Sequence, residues 1–215
     1  MMKYLKNFLT ILFVIVAVLL TDVSLFGQQL LYLDPKQPIE KRVEDLLSCM
    51  TLEEKLGQLN MPCPELMAKD LPGQIDACRK FAEGKLVPNI GPAGGFFGTV
   101  NLLESARVQA EFLNELQKIA IEKTRLGIPL LQVEEGTHGL MCPGGTVFPE
   151  GLAIAATWNK DLVTKIYTVA AKEGRSIGVH GLCTLVIEPN RDPRLGRNEE
   201  GYGEDPYLCR HGLPE

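Results

Sequence analysis

Two stretches of the 215-residue sequence gather acids, arginines and glycines closely enough to act on a polar ligand. The first is Glu134-Glu135-Gly136-Thr137-His138-Gly139. A carboxylate in such a turn can accept hydrogen bonds from two adjacent sugar hydroxyls, and the glycines allow backbone to approach a ligand closely. The same residues also suit a solvated acidic turn with a structural histidine, in which Glu134 is one of the solvated charges. The second stretch covers residues 188–206, where Arg191, Arg194 and Arg197 alternate with Glu188, Asp192, Glu199, Glu200, Glu204 and Asp205. Guanidinium forks match carboxylates or sugar oxygens equally well, so the segment reads either as a binding loop or as a salt-bridged loop that only holds its shape.

Elements able to position these stretches follow from the apolar periodicity. Ile39, Val43, Leu46, Leu47 and Met50 recur at helical spacing. Thr51-Leu52-Glu53-Glu54 has the form of a capping box, so a second helix carrying Leu56 and Leu59 starts there, and the two predict a helical hairpin. Prolines 62, 64 and 72 predict a loop over 61–73, with a helical stretch around 75–83. Gly94-Gly95-Phe96-Phe97-Gly98 reads as a short buried strand, followed by a helix over 103–124. Further strands are predicted over 128–133 and 182–187, with a helix over 161–177 between them. Strands that alternate with helices imply parallel strands and helical crossovers, hence an α/β fold. In such folds the chemistry sits just beyond the carboxyl ends of strands, which is where both stretches fall.

Composition limits what the protein can be. With 45% hydrophobic and 23% charged residues the chain can build a packed core, which excludes a disordered protein. A net charge of −5 gives no electrostatic footprint for nucleic acid. The six cysteines are scattered, with no metal-type spacing, so neither a metal nor another cofactor is expected. Buried thiols and disulfides are both open. Residues 1–27 carry Lys3 and Lys6 before an apolar run from Phe8 to Leu20, and end at the small Gly27. That order predicts a secretory signal peptide, a secreted or periplasmic product beginning at Gln28, and no stable membrane anchor after cleavage. A spanning helix needs about 20 apolar residues, more than this run supplies.

The order of the motifs along the chain resembles glycoside hydrolase family 3, which includes many β-glucosidases and β-xylosidases. The resemblance is carried by residues 42–59, by Ile128-Pro129-Leu130 through His138-Gly139, by Thr146-Val147-Phe148-Pro149, by Ala155-Ala156-Thr157-Trp158-Asn159, and by Arg191-Asp192-Pro193-Arg194-Leu195-Gly196-Arg197 with Glu204-Asp205-Pro206 behind it. It implies that residues 28–215 are an incomplete amino-terminal (β/α)8 barrel domain, truncated after about three strands and preceded by the hairpin. Glu135 stands where the family has an acid, usually Asp, that grips sugar hydroxyls, and Arg197 where it has an arginine lining the same subsite. His138, Arg191, Asp192 and Glu200 are expected to support them, and Glu188 is read as a structural partner of the arginines. The sequence departs from the family at Glu135, one methylene longer than Asp, and at Leu195 in place of the usual Trp, which leaves the sugar open.

The resemblance also implies a retaining glycosidase acting on β-linked oligosaccharides or glycosides. Such an enzyme needs a carboxylate nucleophile and a carboxylic acid/base. Neither is matched within the sequence, and both are expected beyond Glu215, so the chain is expected to be inactive alone. A β-xylosidase or another specificity of the same family, and a non-catalytic sugar-binding remnant, are the alternatives. A (β/α)8 barrel takes about 250 residues, and an open part of one leaves an unpaired strand edge.

Overall fold

The computed structural model describes residues 30–211 and divides at Met50 into two compact units. The predicted signal peptide lies outside the described residues. In the first unit a 3₁₀ turn at Leu31–Leu33 precedes helix α1, Ile39–Cys49. The Tyr32 amide donates to Asp45 Oδ2 at 2.9 Å and Arg42 Nε donates to the Tyr32 carbonyl at 2.9 Å, which ties the turn to the helix.

The second unit opens with α2, Leu52–Gln58. Its cap is the predicted box: the Thr51 amide donates to Glu54 Oε2 at 2.9 Å, and the Glu54 amide donates to Thr51 Oγ1 at 3.3 Å. Helix α3 spans Leu71–Ala82 and starts four residues before the predicted stretch. Asp70 caps it, accepting from the Gly73 amide at 2.8 Å, and Pro72 falls in the first turn, where a missing N–H costs nothing.

Strand β1, Gly95–Phe97, leads through a 3₁₀ turn at Thr99–Asn101 to α4, Ala106–Lys123, capped by Ser105. Strand β2, Leu131–Glu135, is followed by the short helix α5, Gly151–Ala155, and the long helix α6, Lys160–Ser176. Strand β3, Gly181–Cys183, leads to a 3₁₀ turn at Pro193–Leu195 and to α7, Pro206–His211. The three strands form one parallel sheet in the order β1-β2-β3, with Phe96 opposite Gln132 and Glu134 opposite Leu182. The α/β class and the helical crossovers agree with the sequence.

The strand boundaries differ from the prediction, most of all at β2, which also runs on to Glu135, and at β3. β2 starts three residues later because Pro129 has no N–H and Leu130 is engaged elsewhere: its amide donates to Gln117 Oε1 at 3.0 Å, and its carbonyl accepts from Gln117 Nε2 at 2.7 Å. β3 stops at Cys183; the apolar run continues, but Leu185 and Ile187 are exposed and only Val186 pairs again, with Gly201. Gly95 allows the close approach of β1 to β2, since a Cβ there would lie 1.9 Å from the Leu131 carbonyl oxygen.

The core between α3, α4 and β1 contains Phe81, Phe96, Phe112, Leu116 and Ile119, with the Phe81 and Phe96 rings edge to face. Burying one such side chain contributes about 1.5–3 kcal/mol. A second cluster joins α5, α6 and α7 through Ile154, Val163, Ile166, Tyr202 and Cys209. All six cysteines are free thiols: Cys78 and Cys209 are buried, and Cys183 is exposed although it lies in an apolar run. No helix among the described residues is long and apolar enough to cross a membrane.

Candidate functional site

β2 runs two residues beyond the predicted end at Val133, which puts both glutamates on the strand itself, so their side chains point to opposite faces. Glu134 shares the buried face with Gln132 and is fully buried. Its Oε1 accepts from the Thr99 amide at 2.9 Å, the Thr99 hydroxyl at 2.6 Å and the Val100 amide at 3.2 Å, whereas Oε2 is buried with no hydrogen-bond partner among the described residues. Burial pushes this carboxyl up to about 7 against the pull of those three donors. The reading of Glu134 as a solvated charge is therefore corrected: strand alternation turns it inward, where it ties β2 to the turn after β1.

Glu135 faces the other way and is half-buried at the carboxyl end of β2. Burial raises its carboxyl; the positive charge of Arg197 lowers it and the negative charge of Glu200 raises it, so the three groups lie within electrostatic reach of one another. Arg197 does not bond Glu135. Its guanidinium forks onto Glu200, with Nε donating to Oε1 at 2.9 Å and the second nitrogen to Oε2. That pair holds the Glu200 carboxyl low and keeps Arg197 charged.

After β2 the chain folds back on the strand end. The Met141 amide donates to the Glu135 carbonyl at 3.1 Å, and the Phe148 amide to the His138 carbonyl at 2.8 Å. His138 Nε2 lies 3.3 Å from Glu150 Oε1, and Glu150 is the N-cap residue of α5. Glu173 on α6 holds the far side of this loop, accepting from the Thr146 amide at 3.0 Å and the Thr146 hydroxyl at 2.6 Å. Gly151 packs on the Glu200 carbonyl, where a Cβ would lie 2.0 Å away.

Of the predicted supporting residues, Glu200 pairs with Arg197 and influences Glu135 through charge, and His138 is within electrostatic reach of Glu200. Asp192 does not join them. It caps its own 3₁₀ turn and pairs with Arg194, accepting from the Arg194 amide at 3.0 Å and from Nε at 2.9 Å. Arg191 is exposed, and its amide donates to the Pro189 carbonyl at 2.8 Å. Glu188 is exposed and influences Arg197 through charge alone. The arginine-rich segment is thus a set of local pairs, held in shape by the buried Asn190, whose Nδ2 donates to the Asn198 carbonyl at 2.7 Å and whose amide donates to the Gly203 carbonyl at 2.9 Å. The sequence singled out neither Asn190 nor the tyrosines 167 and 202, whose hydroxyls lie 2.7 Å apart between the two segments. No local pattern marks a contact 35 residues apart. Among the described residues no group of three or more His, Cys, Asp or Glu side chains could hold a metal ion.

Residues 51–211 match the model of the Glycosyl hydrolase family 3 N terminal domain. A periplasmic β-glucosidase of Salmonella typhimurium is 32% identical over 166 residues, covering 77% of this chain and 19% of that enzyme. A β-xylosidase of Formosa agariphila is 39% identical over 108 residues, covering 46% of this chain and 14% of that enzyme. Among solved structures, a β-glucosidase of Erythrobacter marinus aligns over 83% of this chain and 22% of its own, with a TM-score of 0.67 and 33% identity. A β-glucosidase of Listeria innocua in complex with isofagomine aligns over 80% of this chain and 21% of its own, with a TM-score of 0.61 and 30% identity. The chain therefore spans less than a quarter of the length of each of these relatives, and it belongs to glycosyl hydrolase family 3, whose amino-terminal domain it enters at Thr51.

Proposed function

We propose that these residues are the first part of the barrel of an exported, retaining β-glycosidase, and that they hold the sugar while the two carboxylates that do the chemistry come from elsewhere in the complete protein. The observation that carries the reading is Glu135, half-buried at the end of a parallel strand with Arg197 and Glu200 in electrostatic reach. A carboxylate so placed accepts hydrogen bonds from two sugar hydroxyls, and the nearby guanidinium favours its charged form against the burial that raises it. Arg197, already neutralised by Glu200, adds donors without adding net charge to the site.

Parallel strands in sequential order, with helices between them, support a partial (β/α)8 barrel. The free side of β3 supports it too: a groove of about 720 Å³ runs along β3 and α6, lined by Tyr167, Gly174, Val179 and Leu182, where a fourth strand would lie. The lengths of the relatives support a longer complete protein. The substrate class is a β-glucoside; the Formosa relative supports a β-xyloside as the second reading. The charged start and apolar run of residues 1–27 support export to the periplasm or beyond.

In the complete enzyme, Glu135→Ala and Arg197→Ala are expected to lower kcat/KM on aryl β-glucosides roughly tenfold or more, the cost of losing a charge-assisted hydrogen bond, while Arg210→Ala leaves it unchanged. Both variants staying within twofold of the parent would remove them from the site. The 215-residue chain alone is expected to release no nitrophenol above the uncatalysed rate, since a retaining mechanism needs both carboxylates.

A further inference from the structure

We propose that the hydroxyls of Tyr167 and Tyr202 form a positioning latch that fixes the loop after Glu135 against the loop carrying Arg197 and Glu200, a role that rests on reading those residues as the sugar-holding site. Tyr167 projects from α6, and its hydroxyl lies 2.9 Å from the Thr137 carbonyl, two residues after Glu135. The same hydroxyl lies 2.7 Å from that of Tyr202, two residues after Glu200. One helix residue therefore touches both halves of the site.

Counting protons fixes the direction of the relay. A carbonyl can only accept, so Tyr167 donates its single proton to Thr137, and Tyr202 must donate its own to the Tyr167 oxygen. The phenols respond as that order requires: the bond between them raises Tyr202, the donor, and lowers Tyr167, the acceptor, although burial raises both. Both groups stay neutral at physiological pH. Tyr202 is 2% exposed and packs with Ile154, Val163 and Ile166, so that end of the relay is anchored in a core cluster, while Tyr167 is half-buried along the groove beside β3. Helix α5 makes a separate link to the arginine-rich loop, from the Leu152 amide to the Glu199 carbonyl, longer at 3.4 Å.

The test is amide hydrogen exchange of the full chain, read over residues 134–142 and 196–203 with α4 as reference, in Tyr167→Phe, Tyr202→Phe and the double variant. Tyr202→Phe keeps its ring and its place in the core, yet is expected to speed exchange over 134–142 about fivefold, the effect of one lost hydrogen bond felt across the latch. Tyr167→Phe should speed both segments, and the double variant should be no faster than Tyr167→Phe, because groups in one relay do not add. Unchanged exchange over 134–142 in Tyr202→Phe, or additive effects in the double variant, overturns the latch. Should Tyr202→Phe speed α4 equally, the role is general stability and the latch is likewise overturned. Isofagomine titration separates the two ideas: a Glu135→Ala variant that binds as the parent does sinks the sugar-site reading, while the exchange result still decides the latch.

Discussion

Glu134 and Glu135 on one side and the arginine-rich loop on the other place similar charges in opposite physical conditions. On β2 Glu134 is held by burial and by bonds to a distant element, reaching 35 residues back to Thr99, and Glu135 beside it is half-buried. In the loop the partners are two or three residues apart, Asp192 with Arg194 and Arg197 with Glu200, and the arginines are exposed. Exposed pairs of this kind contribute little to stability, whereas a buried carboxyl with three donors is costly to disturb. The strand side of the site is therefore pre-set by the fold, and the loop side is set by its anchors, Asn190 and Tyr202, rather than by its charges.

The largest effect expected from breaking this contrast is at Glu134. Glu134→Ala strands three buried donors and should lower unfolding free energy by about 2–4 kcal/mol, read from urea denaturation. Glu134→Gln, which keeps an acceptor oxygen, should cost less. The same residue gives the pH dependence its sign. Its folded pKa of about 7 is above the unfolded value near 4.5, so the folded state binds the extra proton. Its stabilising contribution is complete below pH ~4.5 and is lost as pH rises through about 7, so Glu134→Gln should flatten the fall in stability across that window.

A middle effect belongs to Asn190. Asn190→Ala frees the Asn198 carbonyl and loosens the loop, at about 1–2 kcal/mol in the same denaturation measurement, with faster proteolysis between 190 and 203. The smallest belongs to the charges: Arg194→Ala should leave the melting temperature where it is. A fall of several degrees would show that the loop depends on its ion pairs after all, and the contrast would fail.

The sequence made the helices legible because their signals are local. The capping box at Thr51, the apolar faces of α4 and α6, and the alternation with strands all appear in the structure. Periodicity was less informative for strands of three to five residues, where Pro129 and Gln117 decide the start of β2, and exposure rather than hydrophobicity ends β3. Of the residues that the motif order singles out, Glu135, Arg197 and Glu200 come within electrostatic reach of one another, and His138 reaches Glu200. The orientation of Glu134 was not legible, because the apolar run ends at Val133 and leaves both glutamates reading as a turn, whereas pairing with β3 carries the strand on to Glu135. Asn190 and the tyrosine pair were invisible for a different reason: their roles lie in single hydrogen bonds across the fold.

The amide of Gln117 has one more consequence. It satisfies both the N–H and the C=O of Leu130, taking the place of a neighbouring strand at the entrance to β2. Spontaneous deamidation would preserve the side chain's shape and its accepting oxygen while exchanging the donating nitrogen for a second oxygen, set against the Leu130 carbonyl. An ageing reaction that adds less than one mass unit would thus turn an attraction into a repulsion at the base of the strand that carries Glu135, and a lower melting temperature for Gln117→Glu would register the damage in advance.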